Sequence, residues 1–233
     1  MIEKWFSTIK LPFTWDQFHQ LPQNPAYKHE YCDGHAWLTP RPKSHHALLD
    51  FGSFTRPIAA PATPEEVVIR LLTDEDWDRL PPVFAAAFHR VQPFASLTNE
   101  VRLQAADECL QRTKEGAERP LIPQAIFIAA SKSDEALIGA ILTTLIPSGE
   151  PSDWNSWRWT TPPPLDAVAR VVGRPHLTWI FVGPWHARFG VGTALLDATV
   201  RALIRLEYSE LTSTFLLGNE SSTLWQSTPL TEI

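Results

Sequence analysis

The chain has 233 residues, a formal net charge of −6 and 44% apolar side chains, enough for one large domain or one domain with an extension. No apolar run approaches the roughly 20 residues that span a bilayer. No block of Lys and Arg offers the basic face that holds nucleic acid through its phosphates. Neither a membrane nor a nucleic acid is therefore an expected partner.

Residues 1–63 read as a Pro-rich arm of short strands and turns. Met1 to Lys10 has no long apolar core and no small-residue cleavage site, so secretion is not expected. Asp33–Gly34 lies between two strand-like runs, within Tyr27 to Leu38, and is a strong hairpin-turn dipeptide. A linker, Ala59 to Pro64, closes the arm. Packing of the arm as an extra sheet edge stays open as an alternative. His45 and His46 adjoin one another but lack a third ligand at a useful spacing, so no metal site is expected. Cys32 and Cys109, the two cysteines, read as free thiols of a reducing, cytoplasmic compartment.

Residues 64–233 alternate regularly. Val67 to Leu71 is strand-like. Thr73, followed by Asp74, Glu75 and Asp76, marks a helix start; that helix runs to about His89, interrupted by Pro81 and Pro82. A second amphipathic helix is predicted from Asn99 to Gly116. Strands follow at Ala125 to Ala130 and Leu137 to Ile146. Pro147 to Pro175 is a long connection rich in Pro and Trp. Leu177 to Val182 is a strand, stopped by Gly183–Pro184. The run Ala187, Arg188, Phe189, Gly190, Val191, Gly192, Thr193 then opens a helix whose apolar face carries Leu195, Leu196, Val200 and Leu203. Leu211 to Leu217 completes a strand–loop–helix–strand unit.

A Gly-rich turn that opens a helix presents unpaired N–H groups at the positive end of the helix dipole, a general phosphate site. A nucleotide P-loop needs Gly-Lys-Ser/Thr, but here Thr193 and Ala194 follow Gly192. The dinucleotide fingerprint needs a third glycine, and Leu195 holds that position. A tight packing turn is the bland alternative.

The segment resembles the GNAT superfamily of acyl-CoA-dependent N-acyltransferases, whose signature is Gln/Arg-x-x-Gly-x-Gly/Ala after a strand ending Val-x-Pro. Val182–Gly183–Pro184 and Gly190–Val191–Gly192 match it in type and spacing; the first position departs, being Ala187 with Arg188 beside it. Asn219, followed by Ser222 and Leu224, is similar to the family's Asn-x-x-Ala segment. The resemblance implies an α/β fold with a mixed central sheet flanked by helices. It also implies acetyl transfer from acetyl-CoA to an amine, with Val182, Ala187 to Thr193 and Asn219 as cofactor-binding positions. A non-catalytic acyl-CoA-binding or partner-interaction module is the alternative.

The same resemblance places an oxyanion donor at the backbone N–H of Val182 or its neighbour. Strand alternation puts His176, Thr178, Ile180 and Val182 on one face. His176 lies where some relatives carry a general base, and an imidazole suits that role; a surface histidine is the competing reading. Glu108 and Asp153 are weaker candidates. The family's acid tyrosine is replaced by Gln226, beside Trp225, and Tyr208 is the nearest tyrosine. Ser227 to Ile233 is too short and too polar to be expected to supply the family's last helix and two strands. Truncation, completion of the sheet by a partner or by the arm, and binding without efficient turnover all remain open. An uncovered edge at Leu211 to Leu217 predicts marginal stability or a homodimer through that edge.

Overall fold

The structure, a computed structural model, describes residues 9–21, 27–40, 44–53, 65–91, 94–116, 119–149, 159–216 and 231–232. Within the arm, strands β1 (Ile9–Leu11), β2 (Tyr27–Cys32) and β3 (His35–Pro40) form a small antiparallel sheet in the order β1–β3–β2. Asp33 and Gly34 take φ of 51° and 70° between β2 and β3. Two left-handed central residues are what a two-residue hairpin turn demands, and Asp-Gly tolerates them. Helix α1 (Trp15–His19) lays Trp15 and Phe18 on Tyr31, with ring centroids 5.3 and 5.4 Å apart. The linker expected at Ala59 to Pro64 lies outside the described residues.

Among the described residues the principal sheet has seven strands: β4 (Ser44–Asp50), β5 (Val67–Leu71), β6 (Phe127–Ser131), β7 (Leu137–Ile146), β8 (Arg174–Val182), β9 (Glu210–Leu216) and β10 (Thr231–Glu232). Their order is β10–β4–β9–β8–β7–β6–β5. The β8–β9 pair is parallel and the other five are antiparallel, so the sheet is mixed, as expected. The parallel pair needs a crossover, which α4 (Val191–Arg205) supplies. Its apolar stripe buries Leu195, Leu196, Val200 and Leu203 against Ile141, Leu145 and Leu177.

The opposite face is covered by α2 (Leu80–Ala87) and α3 (Asn99–Lys114). Phe84, Cys109 and Leu110 pack there on Ile128, Leu142 and Phe181. The helix expected from Thr73 to His89 divides in two: a 3-10 turn over Asp74–Arg79, then α2. Pro81 and Pro82 do not interrupt an existing helix; they sit in the first turn of α2, where a missing N–H costs no intrahelical bond.

Asp76 fastens this segment to the edge strand β5. Its carboxylate, almost fully buried, accepts from Arg70 Nη1 and Nη2 at 2.6 and 2.8 Å and from the N–H and hydroxyl of Thr73, both at 2.9 Å. The Arg70 hydrogen bonds, chiefly, pull its pKa down to about 2. A depressed folded pKa gives stability that is present above about pH 4, the unfolded value, and is lost as pH falls toward 2. Asp76→Asn is therefore expected to cost about 2 kcal/mol at neutral pH. In urea titrations the gap between variant and wild type should close toward pH 2; a gap constant across pH would contradict the assignment.

β4 changes the reading of the C-terminal side. It pairs with β9 along its whole length, from Ser44 opposite Leu216 to Asp50 opposite Glu210. The edge expected to be bare at Leu211 to Leu217 is thus occupied by a strand of the arm. The physical basis for exposure or dimerisation at that edge is removed. Leu49 on β4 is fully buried in the α4-side core and lies opposite Leu211. Leu49→Ala is expected to destabilise the whole domain by about 2–5 kcal/mol. A change below about 1 kcal/mol in urea unfolding would mean the strand is only an ornament on the sheet.

Candidate active site

The loop between β8 and α4 is bent by two left-handed residues. Arg188 has φ 69° and Gly190, the N-cap of α4, has φ 82°. At Arg188 this conformation costs about 1–2 kcal/mol. Backbone strain of that kind concentrates at ligand clamps. Ala194 is the first residue whose N–H bonds back into the helix, to Gly190 O at 2.9 Å. The amides of Val191, Gly192 and Thr193 precede it and have no intrahelical acceptor. The first turn holds no acidic residue. Ala187, Arg188 and Phe189 are exposed, Gly190, Gly192 and Thr193 half-buried, and Val191 buried. The result is a concave row of N–H dipoles at the positive end of a fifteen-residue helix, suited to an anion.

Beside this loop, β8 and β9 part. Among the described residues their ladder holds two register pairs, His176 with Thr212 and Leu177 with Ser213. Beyond Leu177, β8 is paired among the described residues with β7 alone, as far as Val182 opposite Gly139. Gly183 N–H donates to Ile138 O at 2.7 Å. Antiparallel alternation then turns Phe181 toward β7, and turns the N–H and C=O of Ile180 and Val182 away from it, into the gap. Val182 was the expected carbonyl-polarising position, and Ile180 joins it on the same edge.

His176 sits at the vertex of the gap, only 2% exposed. The surface reading of this residue is therefore incorrect. Thr212 Oγ1 donates to Pro175 O at 2.9 Å and lies 3.1 Å from His176 Nδ1. With its proton committed to the carbonyl, the hydroxyl accepts from the ring. The neutral imidazole is then the Nδ1–H tautomer, with Nε2 as its basic nitrogen. Thr144 and Thr178 hydroxyls bond each other at 2.8 Å nearby.

The expected common face of His176, Thr178, Ile180 and Val182 does not exist. The β7–β8 register shifts between Leu142 and Thr143, where Trp179 and then Leu177 are the partners. Thr178 is the extra residue of a β-bulge, and a bulge reverses the alternation. Leu177, Ile180 and Val182 accordingly pack in the α4-side core, whereas Trp179 and Phe181 pack under α2 and α3. His176, opposite Thr144, precedes the bulge and lies on the α2/α3 side. The sequence carried no signal for this, because apolar residues of β8 pack into a core on both faces, so neither face stands out as the solvent side.

Other candidates fall elsewhere. Tyr208 follows α4 at the end remote from Gly190, a separation of about 22 Å along the helix, so it does not meet the gap. It is buried, which raises its pKa, and its hydroxyl has no partner among the described residues. Glu108 lies on α3 and accepts from Gln104 Nε2 at 3.0 Å. Asp153, Asn219, Ser222, Leu224, Trp225 and Gln226 lie outside the described residues, and nothing is described of the His45 and His46 side chains. Cys32 is exposed, Cys109 is buried and both are free thiols. Among the described residues no helix is long and apolar enough to cross a membrane.

No protein-family model and no curated protein matches the chain. Solved structures do. A GCN5-related N-acetyltransferase from Sphaerobacter thermophilus superposes with a TM-score of 0.51 at 13% identity, over 97% of this chain and 56% of that one. A tandem GNAT protein from the clavulanic acid biosynthesis pathway, solved without AcCoA, gives 0.47 at 16% identity, over 95% of this chain and 58% of that one. The chain thus spans little more than half the length of either. At this identity the likeness is one of fold, and the fold is that of the GCN5-related N-acetyltransferases.

Proposed function

We propose that this chain is an N-acetyltransferase, moving an acetyl group from acetyl-CoA to an amine of an acceptor. The observation that carries the proposal is the junction of two features at one end of β8: a helix start with free first-turn amides, suited to an anion, and a gap lined by outward-facing backbone groups. A pyrophosphate fits the loop, since Gly190 is left-handed, three first-turn amides lack intrahelical acceptors, and Arg188 adds an exposed cation. Val182, Ala187, Arg188, Phe189, Gly190, Val191, Gly192 and Thr193 would hold the cofactor, with Asn219 as a further contact.

Acetyl-CoA, when bound, supplies the acetyl group as an activated thioester. The gap beyond Leu177 would hold the extended pantetheine arm, and the N–H groups of Ile180 and Val182 face it as donors for the carbonyl. His176, its Nδ1 oriented by Thr212, would take the proton that the amine loses as it attacks. No side chain is assigned to protonate the departing thiolate, and solvent serves. The 2% exposure of His176 favours the second reading, an acyl-CoA-binding module without turnover, in which this histidine only closes the sheet.

Thiol release from acetyl-CoA against a panel of amines, with products identified by mass spectrometry, separates the readings. Amine-dependent release with an acetylated product supports the enzyme. Binding without release supports the module, and absence of binding removes both.

A further inference from the structure

Among the described residues, β5 is an unpaired edge of the main sheet. Glu66 O accepts from Lys132 N–H at 2.9 Å, and Leu72 N–H donates to Ile126 O at 3.1 Å. With Val68 opposite Ala130 and Arg70 opposite Ile128, alternation turns the even-numbered residues toward β6. The N–H and C=O groups of Val67, Ile69 and Leu71 therefore point outward. Among the described residues only Leu71 O has a partner there, Arg70 Nη1 at 3.1 Å. Two apolar side chains on this short edge are exposed, Val68 by 38% and Leu71 by 48%.

A cavity of about 260 Å³ adjoins the same edge, lined by Val67, Ile138, Trp185, Phe189 and Val191 with Glu66, Ser131 and His186. Trp185 and Phe189, from the β8–α4 loop, are 87% and 67% exposed. Val67, Ile69 and Leu71 share one face of the strand by alternation, and Val67 and Ile69 pack in the α4-side core.

We infer that two copies of the chain pair antiparallel through β5, about a two-fold axis at Ile69. In that register Leu71 of the partner subunit stands opposite Val67, beside the cavity, and the converse contact follows by symmetry. Each exposed leucine fills the other copy's apolar hollow, and the outward backbone groups are satisfied in the same step. The occupant is a second copy because the protruding side chain and the hollow that receives it lie two residues either side of one centre. The partner's Leu71 also braces Trp185 and Phe189, so pairing steadies the loop assigned above to the cofactor; that consequence, unlike the pairing, rests on the function proposed here.

Sedimentation across low to high micromolar protein tests the pairing without any ligand. The wild-type chain should pass from monomer to dimer. Leu71→Asp, and separately Val68→Lys, which sets a cation opposite Arg70 of the partner subunit, should each weaken dimerisation by at least about tenfold, because each acts twice across the axis. Circular dichroism and urea unfolding confirm that the variants fold. A wild-type monomer at every concentration, or a dimer unaffected by both substitutions, overturns the inference. Calorimetry with acetyl-CoA on wild type and Leu71→Asp then reads the loop. Weaker binding by the monomeric variant supports the bracing and equal binding overturns it, while failure of both proteins to bind strikes the proposed function and leaves the dimer standing.

Discussion

Gly190→Glu is expected to abolish the stabilisation that acetyl-CoA confers, while leaving the chain folded. A ligand at about 100 times its Kd adds roughly 2.7 kcal/mol, which for a domain of this size raises the melting temperature by about 5–10 °C. The glutamate loses that gain in two ways. Its Cβ enters a left-handed position, φ 82°, at a cost of about 1–2 kcal/mol. Its carboxylate then sits on the amides of Val191, Gly192 and Thr193, an arrangement favourable to the helix and repulsive to a pyrophosphate. The variant should melt cooperatively and show no shift with acetyl-CoA. An undiminished shift would move the cofactor site away from this loop.

His176→Gln is expected to lower kcat by about 10²-fold and leave acetyl-CoA affinity unchanged. Glutamine fills most of the same buried volume, and its amide can still donate to Thr212, so the vertex of the gap should persist. It cannot accept a proton at neutral pH. The loss should shrink as pH rises toward the acceptor's own pKa, where the amine is already neutral. Equal kcat for both proteins at neutral pH would make His176 a structural residue. A parallel loss of cofactor affinity would point instead to collapse of the gap.

The elements that bear these predictions were legible to different degrees. The turn at residues 187–193 and the helix it opens could be read directly, because a glycine pair between an apolar strand and an apolar-striped helix is a local pattern with a local cause. β7 was legible too, its ten residues being one apolar run bounded by polar turns. The bulge at Thr178 was not. It depends on register between β7 and β8, and a one-residue slip between two buried faces leaves no trace in hydrophobicity. The position of β4 was hidden for a related reason. Ser44–Asp50 and its partner Glu210–Leu216 are about 160 residues apart, and strand pairing at that separation is set by tertiary packing. The burial of His176 follows from both, since β9 reaches its side through Thr212 while β4 covers the outer side of β9. The competing surface reading of this histidine arose because Pro175 read as the end of a loop, whereas β8 already begins at Arg174, held by an ion pair with Glu210 at the start of β9.

One acyl-CoA molecule is expected to occupy the start of α4 and the gap beside β8. Calorimetric titration of the wild-type chain with acetyl-CoA tests it most directly, with NAD titrated in parallel. The expected result is one site per chain, a Kd in the micromolar range, and much weaker or no binding of NAD, which lacks an arm to enter the gap. Absence of heat and of binding with acetyl-CoA, or equal affinity for the two nucleotides, would contradict it.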